Sequence, residues 1–406
     1  MPAVKDCRKR YEIHLASYIG ILYSKREFDS DRMLHERQRF RHADDTLLRA
    51  KGEGGTLRPQ AGPDICLCLC NMPRRGSALM ASRSTRANIG QEHVVFGAFI
   101  FFFAVFSVMT ESFLTVDNLI VLVRNVSILG ILGLGMAVVV IGRGIDLSMI
   151  AVLAVSGAWT VELVSNGTDV LVAIGLALAL AVIVGVINGL LIAYGEIAPI
   201  LATLASGIVV YGFGRAFLVS LALVSLPDSD SWFVKIGQGT VLGVPAPIII
   251  YAVLAGLVAF FLNITRLGRF VYAMGDNPNA AWLSGMPYRL LIVLQYVFSA
   301  CIAAIAGLVM AATVTSMNMR IINSTMIYDV ILVVVLGGIS LSGGLGSIRQ
   351  VVVGTALIGV LLNGMTILDM QYTTQNILKA LVLLAAIIAD SYLNPRDEQT
   401  GQQGDI

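Results

Sequence analysis

The stretch Gly268–Met286 reads GRFVYAMGDNPNAAWLSGM and separates two apolar runs, 246–264 and 289–314. Each run is about as long as the 20 or so apolar residues that a helix needs to cross the hydrocarbon core of a membrane. The stretch between them is rich in Gly, Asn and Ala, and Arg266 and Arg269 lie close to its start. It is long for a simple helix connection. We therefore expect a membrane protein with a polar segment that leaves the bilayer at this point.

The composition of the whole chain supports this interpretation. Of 406 residues, 56% are hydrophobic and 13% are charged, whereas a soluble domain has about 25% charged residues. Apolar segments are predicted at 94–110, 120–141, 147–164, 169–194, 197–224, 246–264, 289–314, 327–342, 349–367 and 375–392. The sequence thus predicts an all-α polytopic membrane protein with about ten transmembrane helices, some of them broken or short.

The distribution of basic residues predicts the orientation, because Lys and Arg in short loops stay on the cytoplasmic side. With the N-terminus inside, the cytoplasmic side after the first span receives Arg143, Arg266, Arg269, Arg289, Arg349 and Arg396, whereas Lys235 and Arg320 lie outside and Arg124 lies near an outer end. Both termini are then cytoplasmic, and so is the stretch 268–286. The longest outer loop, 225–247, carries Asp228 and Asp230.

The N-terminal part differs from the rest of the chain. Residues 1–92 hold 17 basic and 11 acidic side chains, whereas the remaining 314 residues hold only 11 and 15. We expect residues 1–71 to be a disordered cytoplasmic extension or an untranslated upstream extension, with translation starting at Met72 or Met80. The remaining predicted divisions are a basic cytoplasmic tail (72–93), a transmembrane domain (94–392) and a cytoplasmic C-terminal tail (393–406).

The apolar part lacks the residue types that metal binding, nucleotide binding and acid-base catalysis need. All four histidines lie at or before His93, and the alternating cysteines Cys66, Cys68 and Cys70 lack the spacing of a zinc site. The chain contains no Gly-Lys pair, so it has no phosphate-binding loop. It also lacks a basic patch with interleaved aromatic residues. We expect no bound metal, cofactor or nucleic acid and no catalytic activity.

Three glycine-bearing stretches interrupt the apolar helices, and the first is IGRGIDLS (Ile141–Ser148). It sets Arg143 and Asp146 at a helix break. A carboxylate at membrane depth needs a partner, a helix end or water, and marks a functional site by default. We expect Asp146 to be the N-cap of the next helix. A role in the translocation path is the alternative.

The second stretch is LGGISLSGGLGS (Leu336–Ser347), with five glycines and three serines. Unwound backbone at membrane depth is tolerated only where it is buried or lines a water-filled path. The third is the opening stretch, Gly268–Met286, in which the part from Asn277 predicts a cap at Asn277-Pro278 and a short helix 279–284 that ends at Gly285. Small residues at 280, 281 and 284 would offer a shallow surface to a second protein. An ordinary connector is the alternative.

Taken together, four motifs resemble a known family. They are GIDLS, NGLLIAYGEIAPILATLASG (Asn188–Gly207), the opening stretch, and VVLGGISLSGGLGSIRQ (Val334–Gln350). In this order they are similar to the permease subunit of bacterial ABC importers for simple sugars such as ribose, xylose, arabinose and galactose. The resemblance covers about residues 94–392.

The resemblance implies a function and a set of partners. It implies a multi-pass protein of the bacterial cytoplasmic membrane that imports a monosaccharide, pairs with a second permease copy or paralogue, and receives sugar from an extracytoplasmic binding protein. A separate ABC ATPase subunit would dock on the loop 268–286. The implied coupling residues are Gly275, Asn277, Ala280, Ala281, Leu283, Ser284 and Gly285. Candidate residues of the translocation path or its helix breaks are Asp146, Ser148, Asn188, Gly337, Gly338, Ser340, Ser342, Gly343 and Gly344.

The chain departs from the family pattern at two places. Arg143 replaces the first glycine of Gly-Gly-Ile-Asp-Leu-Ser, and Met149-Ile150 replace Val-Gly. The run Met326–Asp329 keeps only the Asp of a Tyr-Glu-Leu-Asp pattern. Two other transporter classes stay open: a branched-chain amino-acid permease, and an ion-coupled transporter using a carboxylate such as Asp146, Glu162, Glu196 or Asp329. We also expect Ala281→Asp to leave folding intact and to weaken ATPase docking.

Overall fold

The structure is a computed structural model, and it describes residues 91–226 and 232–393. The expectations for residues 1–71, for most of the tail 72–93, for Asp228 and Asp230, and for nearly all of 393–406 lie outside the described residues.

Within the described residues the chain forms thirteen α-helices. They are α1 (Gln91–Met109), α2 (Val116–Ile141), α3 (Met149–Ser165), α4 (Val170–Ala193), α5 (Pro199–Phe213), α6 (Trp232–Gln238), α7 (Ala246–Ile264), α8 (Arg266–Asp276), α9 (Pro278–Leu283), α10 (Tyr288–Val314), α11 (Met326–Gly337), α12 (Ile348–Ile367) and α13 (Tyr372–Leu393). A π-helical turn, Gly214–Leu218, extends α5, and a 3-10 turn, Met319–Asn323, precedes α11.

Six of the described helices are long and apolar enough to cross a membrane. They are α2, α4, α5 with its π-helical turn, α7, α10 and α12. Four shorter apolar helices lie at Val95–Met109, Met149–Ser165, Met326–Gly337 and Tyr372–Ile388. Each of the ten predicted apolar segments therefore contains one apolar helix. The number of full spans and the side of each terminus stay predictions.

The centre of the described fold is built from α2, α3 and α10. Every residue of α2 from 127 to 141 is buried, so this half of the helix is enclosed by other helices. Helix α4 packs closely on α10, where Gly185 and Gly189 lie directly against the backbone of Val297 and Val293. Small residues let two helices approach in this way, which is a typical packing mode between membrane helices.

Two short antiparallel strand pairs add to the helices, and the all-α prediction missed them. Strand β1 (Leu223–Ser225) pairs with β4 (Ser316–Asn318), with Val224 opposite Met317. Strands β2 (Thr240–Val241) and β3 (Val244–Pro245) form a hairpin. Helix α6, from the predicted outer loop, buries Phe233 and Val234. The described part of that loop is therefore folded structure rather than an irregular connection.

Candidate functional site

The first glycine-bearing stretch forms the predicted break between α2 and α3. Helix α2 ends at Ile141, and Arg143 follows with a backbone φ of 69°. This left-handed conformation is costly for residues other than glycine. Arg143 has a compensating contact, because its Nε donates to the Ser342 carbonyl at 2.7 Å. The departure from the family pattern thus links the first break to the second.

The second glycine-bearing stretch also forms a break, as predicted. Helix α11 ends at Gly337, and Gly338 follows with φ 101°. The amide of Gly344 donates to the Ile141 carbonyl at 2.8 Å, so this segment satisfies a carbonyl at the end of α2. Ser340 and Ser342 hydrogen-bond to each other through their hydroxyls at 2.7 Å. The two breaks are therefore in direct contact.

Helix α8 completes this junction. Gly275 lies so close to the Ile141 carbonyl and to Gly344 that a Cβ atom would clash with both. The Tyr272 hydroxyl donates to the Gly346 carbonyl at 2.8 Å, and burial raises the pKa of Tyr272, which keeps its hydroxyl a donor. The three stretches that the sequence presents separately therefore meet at one place, and only the folded chain brings them together.

Asp146 is buried in the first break, but the prediction that it is the N-cap of the next helix is wrong. Helix α3 begins at Met149, and its N-cap is Ser148, whose side chain makes no capping bond. Instead, Asp146 Oδ1 accepts from the Ser148 amide at 3.0 Å and from the Ser148 hydroxyl at 2.6 Å. The carboxylate thus fixes the turn before the helix rather than the first helical amides.

Asn188 of α4 joins this pair. Its Nδ2 donates to Ser148 Oγ at 2.8 Å, and Asp146, Ser148 and Asn188 all have 0% exposure. The structure therefore brings together three residues that the sequence analysis assigned to the translocation path or its breaks. They form a closed polar cluster in an otherwise apolar interior.

Three polar residues of α10 lie beside this cluster and were missed by the sequence analysis. The Gln295 amide lies against Gly142, and the Tyr296 hydroxyl lies against Gly144. Ser299 is also fully buried. The signal in the sequence is the group of polar residues at 295, 296 and 299 inside an apolar run, a spacing that places 295 and 299 on one helix face.

A second buried charge lies between α11 and α13. Lys379 Nζ lies 2.9 Å from Asp329 Oδ1, and the two side chains are 12% and 13% exposed. Lys379 also donates to the Thr325 hydroxyl at 3.2 Å. The sequence analysis considered Asp329 but not Lys379, because nothing in the pattern links two residues 50 positions apart.

The predicted short helix in the third stretch is confirmed, one residue earlier than expected. Asn277 is the N-cap, and its side chain accepts from the Ala280 amide at 3.0 Å. Helix α9 then covers Pro278–Leu283, with Ser284 as its C-cap. Gly285 ends it with φ 75°. This local structure follows from capping chemistry that the sequence already shows.

The exposed face of α9 is not the predicted one. Ala281 is only 2% exposed and packs in a cluster with Met274 and Leu291, so it faces the protein itself. The residues exposed beside it are Trp282 at 69% and Leu283 at 78%. The expectation that Ala281 offers an exposed contact is therefore wrong. Trp282 is the prominent exposed residue, and the sequence analysis overlooked it.

Metal-binding side chains are not clustered in the part of the chain that the structure describes: no group of three or more His, Cys, Asp or Glu residues could hold an ion there. The candidate residues therefore divide into a backbone junction, a buried polar cluster and an exposed apolar pair on α9.

Comparison with known proteins gives a consistent result. The family described as "Branched-chain amino acid transport system / permease component" matches residues 118–388. A ribose import permease of Haemophilus influenzae is 32% identical over 322 residues, which cover 78% of this chain and 99% of the relative. A ribose import permease of Bacillus subtilis is 35% identical over 284 residues, covering 70% of this chain and 88% of the relative.

An L-arabinose transport system permease of Escherichia coli is 31% identical over 318 residues, covering 78% of this chain and 95% of the relative. No solved structure matches the chain. The family match spans the three glycine-bearing stretches and both buried carboxylates, Asp146 and Asp329. The chain therefore belongs to this family of multi-pass membrane permeases, and the relatives that it resembles over nearly their whole length are sugar permeases.

Proposed function

We propose that the chain is the membrane-spanning permease subunit of an ATP-driven importer that moves a monosaccharide into the cytoplasm across the bacterial cytoplasmic membrane. The observation that carries this proposal is the similarity over 99% of the length of a ribose import permease. ATP hydrolysis is then the task of a separate ABC ATPase subunit, since the chain has no phosphate-binding loop.

The exposed end of α8 and α9 is the surface that we assign to the ATPase. Trp282 and Leu283 form an adjacent apolar pair on a short helix that is fixed at its start by the Asn277 cap. Large aromatic side chains are frequent anchors of protein interfaces. The exposed Arg266 and Arg269 precede this surface, and the placement of basic residues on the cytoplasmic side supports its orientation.

Contact of the ATPase with α9 would reach the membrane interior through the backbone junction. Ala281 anchors α9 against α10, and Gly275 holds the end of α8 against Ile141 and Gly344. Packed backbone of this kind leaves little room for independent movement. A displacement of α9 therefore acts on both helix breaks together, and this is how we expect ATP hydrolysis to reach the translocation path.

Two further partners complete the proposed importer. A second permease copy or paralogue is expected within the lipid bilayer, and an extracytoplasmic sugar-binding protein is expected at the opposite end from α9. The strands β1 and β4 and helix α6 belong to the connections predicted on that outer side. Binding there would be independent of Trp282.

A branched-chain amino acid is the alternative substrate, and the description of the matching family favours it. A zwitterionic substrate needs charged partners, whereas the buried acidic side chains among the described residues are Asp146 and Asp329, and Asp329 is paired with Lys379. Lys379 already neutralises Asp329. The few buried charges and the names of the relatives support a neutral, hydroxyl-rich ligand.

The experiment measures co-purification of the chain with an ABC ATPase of such an importer, and uptake into membrane vesicles in the presence of a sugar-binding protein. We expect the double variant Trp282→Ala/Leu283→Ala to fold normally, to lose most of the bound ATPase and to lose uptake of labelled ribose or L-arabinose. Trp232→Ala is the matched control, because Trp232 is also exposed but lies in the predicted outer loop. Normal ATPase binding by the double variant would contradict the docking assignment.

Substrate class is measured in the same vesicles. Uptake of labelled leucine with no uptake of any monosaccharide would show that the substrate is an amino acid and not a sugar. ATP turnover by the permease alone would contradict the assignment of hydrolysis to a partner chain.

The burial of Ala281 changes the predicted effect of Ala281→Asp. The variant should reduce the folded yield itself, because it places a charge inside a packed cluster.

A further inference from the structure

The geometry points to a binding site for one acyl chain of an anionic phospholipid, in a cleft between α7, α8 and α10. The inference rests on the membrane location of the permease, and it does not depend on the ATPase or on the transported substrate.

The cleft has a volume of about 110 Å³ and is lined almost entirely by apolar side chains. On one side α10 contributes a single stripe, because residues three and four positions apart share a helix face. On the other side α8 contributes two residues. The residues on these two walls are Leu291, Leu294, Gln295 and Phe298 of α10 and Leu267 and Val271 of α8.

The cleft is open at one edge. Leu267 and Leu294 belong to facing helices and are 39% and 40% exposed, so they form its mouth. Phe261 of α7 and Phe298 also line the cleft, and their rings stack with centroids 5.5 Å apart. An apolar cavity of about 150 Å³ holds a molecule of the size of benzene. The cleft therefore suits a few carbon atoms of an acyl chain that enters from the bilayer.

Gln295 is the polar residue in the wall of the cleft. It is 3% exposed, and its Nε2 has no hydrogen-bond partner within the described residues. A buried donor that stays unpaired costs about 1–3 kcal/mol. The ester carbonyl of a phospholipid is an acceptor that can satisfy this donor, whereas a plain hydrocarbon cannot. The wall thus favours a chain that carries an ester group.

Basic residues flank the mouth. Arg266 and Arg269 are exposed on α8, and Arg266 directly precedes Leu267. Between positions 246 and 314 the chain has three basic residues and one acidic residue, Asp276. Guanidinium groups bind phosphate oxygens well, and basic clusters at the cytoplasmic ends of membrane helices bind anionic headgroups. The charge therefore selects an anionic phospholipid over a zwitterionic one.

The order of these groups matches the order of groups in a phospholipid. Leu291 lies in the first turn of α10, Gln295 lies one turn further, and Phe298 lies about 10 Å beyond Leu291 along the helix. The phosphate would lie at the arginines, the ester at Gln295 and the chain at the phenylalanine pair. Lipid bound there would support α8, which carries Gly275 at the junction with Ile141.

The test uses the full-length chain, purified in detergent, with dioleoyl phosphatidylglycerol or dioleoyl phosphatidylcholine added in mixed micelles. We expect phosphatidylglycerol to raise the midpoint of thermal unfolding by a few degrees with a saturable dependence. Native mass spectrometry should show one retained phosphatidylglycerol per chain. The response to phosphatidylcholine should need a several-fold higher concentration. Phosphatidylglycerol with a photoreactive group on its acyl chain should label residues within 261–298.

Leu294→Trp is the test variant, because it fills the mouth of the cleft at an exposed position. It should lose the retained phosphatidylglycerol and most of the shift in midpoint. Leu290→Trp is the matched control, since Leu290 is also exposed on α10 but is not a lining residue of the cleft. Gln295→Met removes the donor at similar size and should weaken the binding of both lipids several-fold.

The headgroup has its own variant, which also serves if Leu294→Trp does not fold. Arg266→Gln/Arg269→Gln changes two exposed side chains, and it should remove the preference for phosphatidylglycerol while the response to phosphatidylcholine stays.

Three outcomes would overturn the inference. The first is a wild-type protein without a saturable response to phosphatidylglycerol, or with an equal response to both lipids. The second is a Leu294→Trp variant that binds phosphatidylglycerol as Leu290→Trp does. The third is a Leu294→Trp variant that keeps its lipid but loses a dimer in size exclusion, which would show that a second copy covers the cleft. None of these measurements involves the ATPase or uptake, so their failure is distinct from a failure of the proposed function.

Discussion

Asp146 and Asp329 are both buried carboxylates in an apolar membrane protein, but their surroundings neutralise them in different ways. Asp329 meets Lys379 at 2.9 Å across the contact between α11 and α13. Asp146 meets the amide and hydroxyl of Ser148, and through them Asn188. One site is an ion pair between two helices, and the other is a hydrogen-bonded network at a helix break.

The difference teaches how each site responds to the loss of one partner. An ion pair leaves a full buried charge when either member is removed. A network of neutral donors distributes the loss over several weaker bonds. Removing a partner should therefore cost more at Asp329 than at Asp146, although Asp146 is the more deeply buried of the two.

The largest effect is expected for Lys379→Met. The variant leaves Asp329 as an unpaired charge, and this should reduce the free energy of unfolding by about 3–5 kcal/mol. Folded yield and the midpoint of thermal unfolding, measured by fluorescence-detected size exclusion, report it. Lys379→Met/Asp329→Asn is the control, and it should recover much of the loss. Equal losses in the single and double variants would show that the ion pair is not what Lys379 supplies.

Ser148→Ala should have the next largest effect. It removes the group that both Asp146 and Asn188 contact, which leaves buried polar atoms unpaired, and the expected cost is about 1–3 kcal/mol of unfolding free energy. Ser165→Ala is the matched control, because the exposed Ser165 hydroxyl also donates, to the Glu162 carbonyl at 3.0 Å. A control variant as unstable as Ser148→Ala would mean that burial does not distinguish the two serines.

Asp146→Asn should cost less, at about 1 kcal/mol or below. The amide oxygen can still accept from Ser148, and the buried charge is gone. The thermal midpoints of Asp146→Asn and Asp329→Asn should be compared directly, since only the second leaves an unpaired Lys379. Uptake in vesicles is the second readout. A collapse of transport at normal yield would instead assign Asp146 to proton coupling.

The smallest effect is expected for Glu196→Gln. The Arg289–Glu196 pair spans 3.8 Å, with side chains 56% and 80% exposed, and exposed pairs contribute little because water screens them. The substitution keeps Arg289 over the ring of Tyr194 at 5.1 Å. The free energy of unfolding should stay within about 0.5 kcal/mol of the wild-type value. A larger loss would show that exposure does not separate this pair from Asp329–Lys379.

Local chemistry could be predicted from the sequence where neighbouring residues decide it. The cap at Asn277 and the stop at Gly285 are confirmed because both depend on side-chain and backbone preferences within one turn. The Asp146 cap failed by two residues, because an Asp before a helix can bond to the turn instead of the first helical amides. The prediction of which face of α9 is exposed was wrong, because the sequence of a six-residue helix does not show which side meets α10.

The sequence by itself determined that this is a helical membrane permease. The length of the apolar segments follows from the thickness of the bilayer, and the glycine-bearing breaks and the helix caps follow from local backbone chemistry. Only the tertiary structure decided that the three glycine-bearing stretches meet at Ile141, that Lys379 neutralises Asp329, and that α10 lies beside Asp146. These contacts join residues far apart in the chain, and in an apolar medium each buried polar group has to find its partner through packing rather than through water.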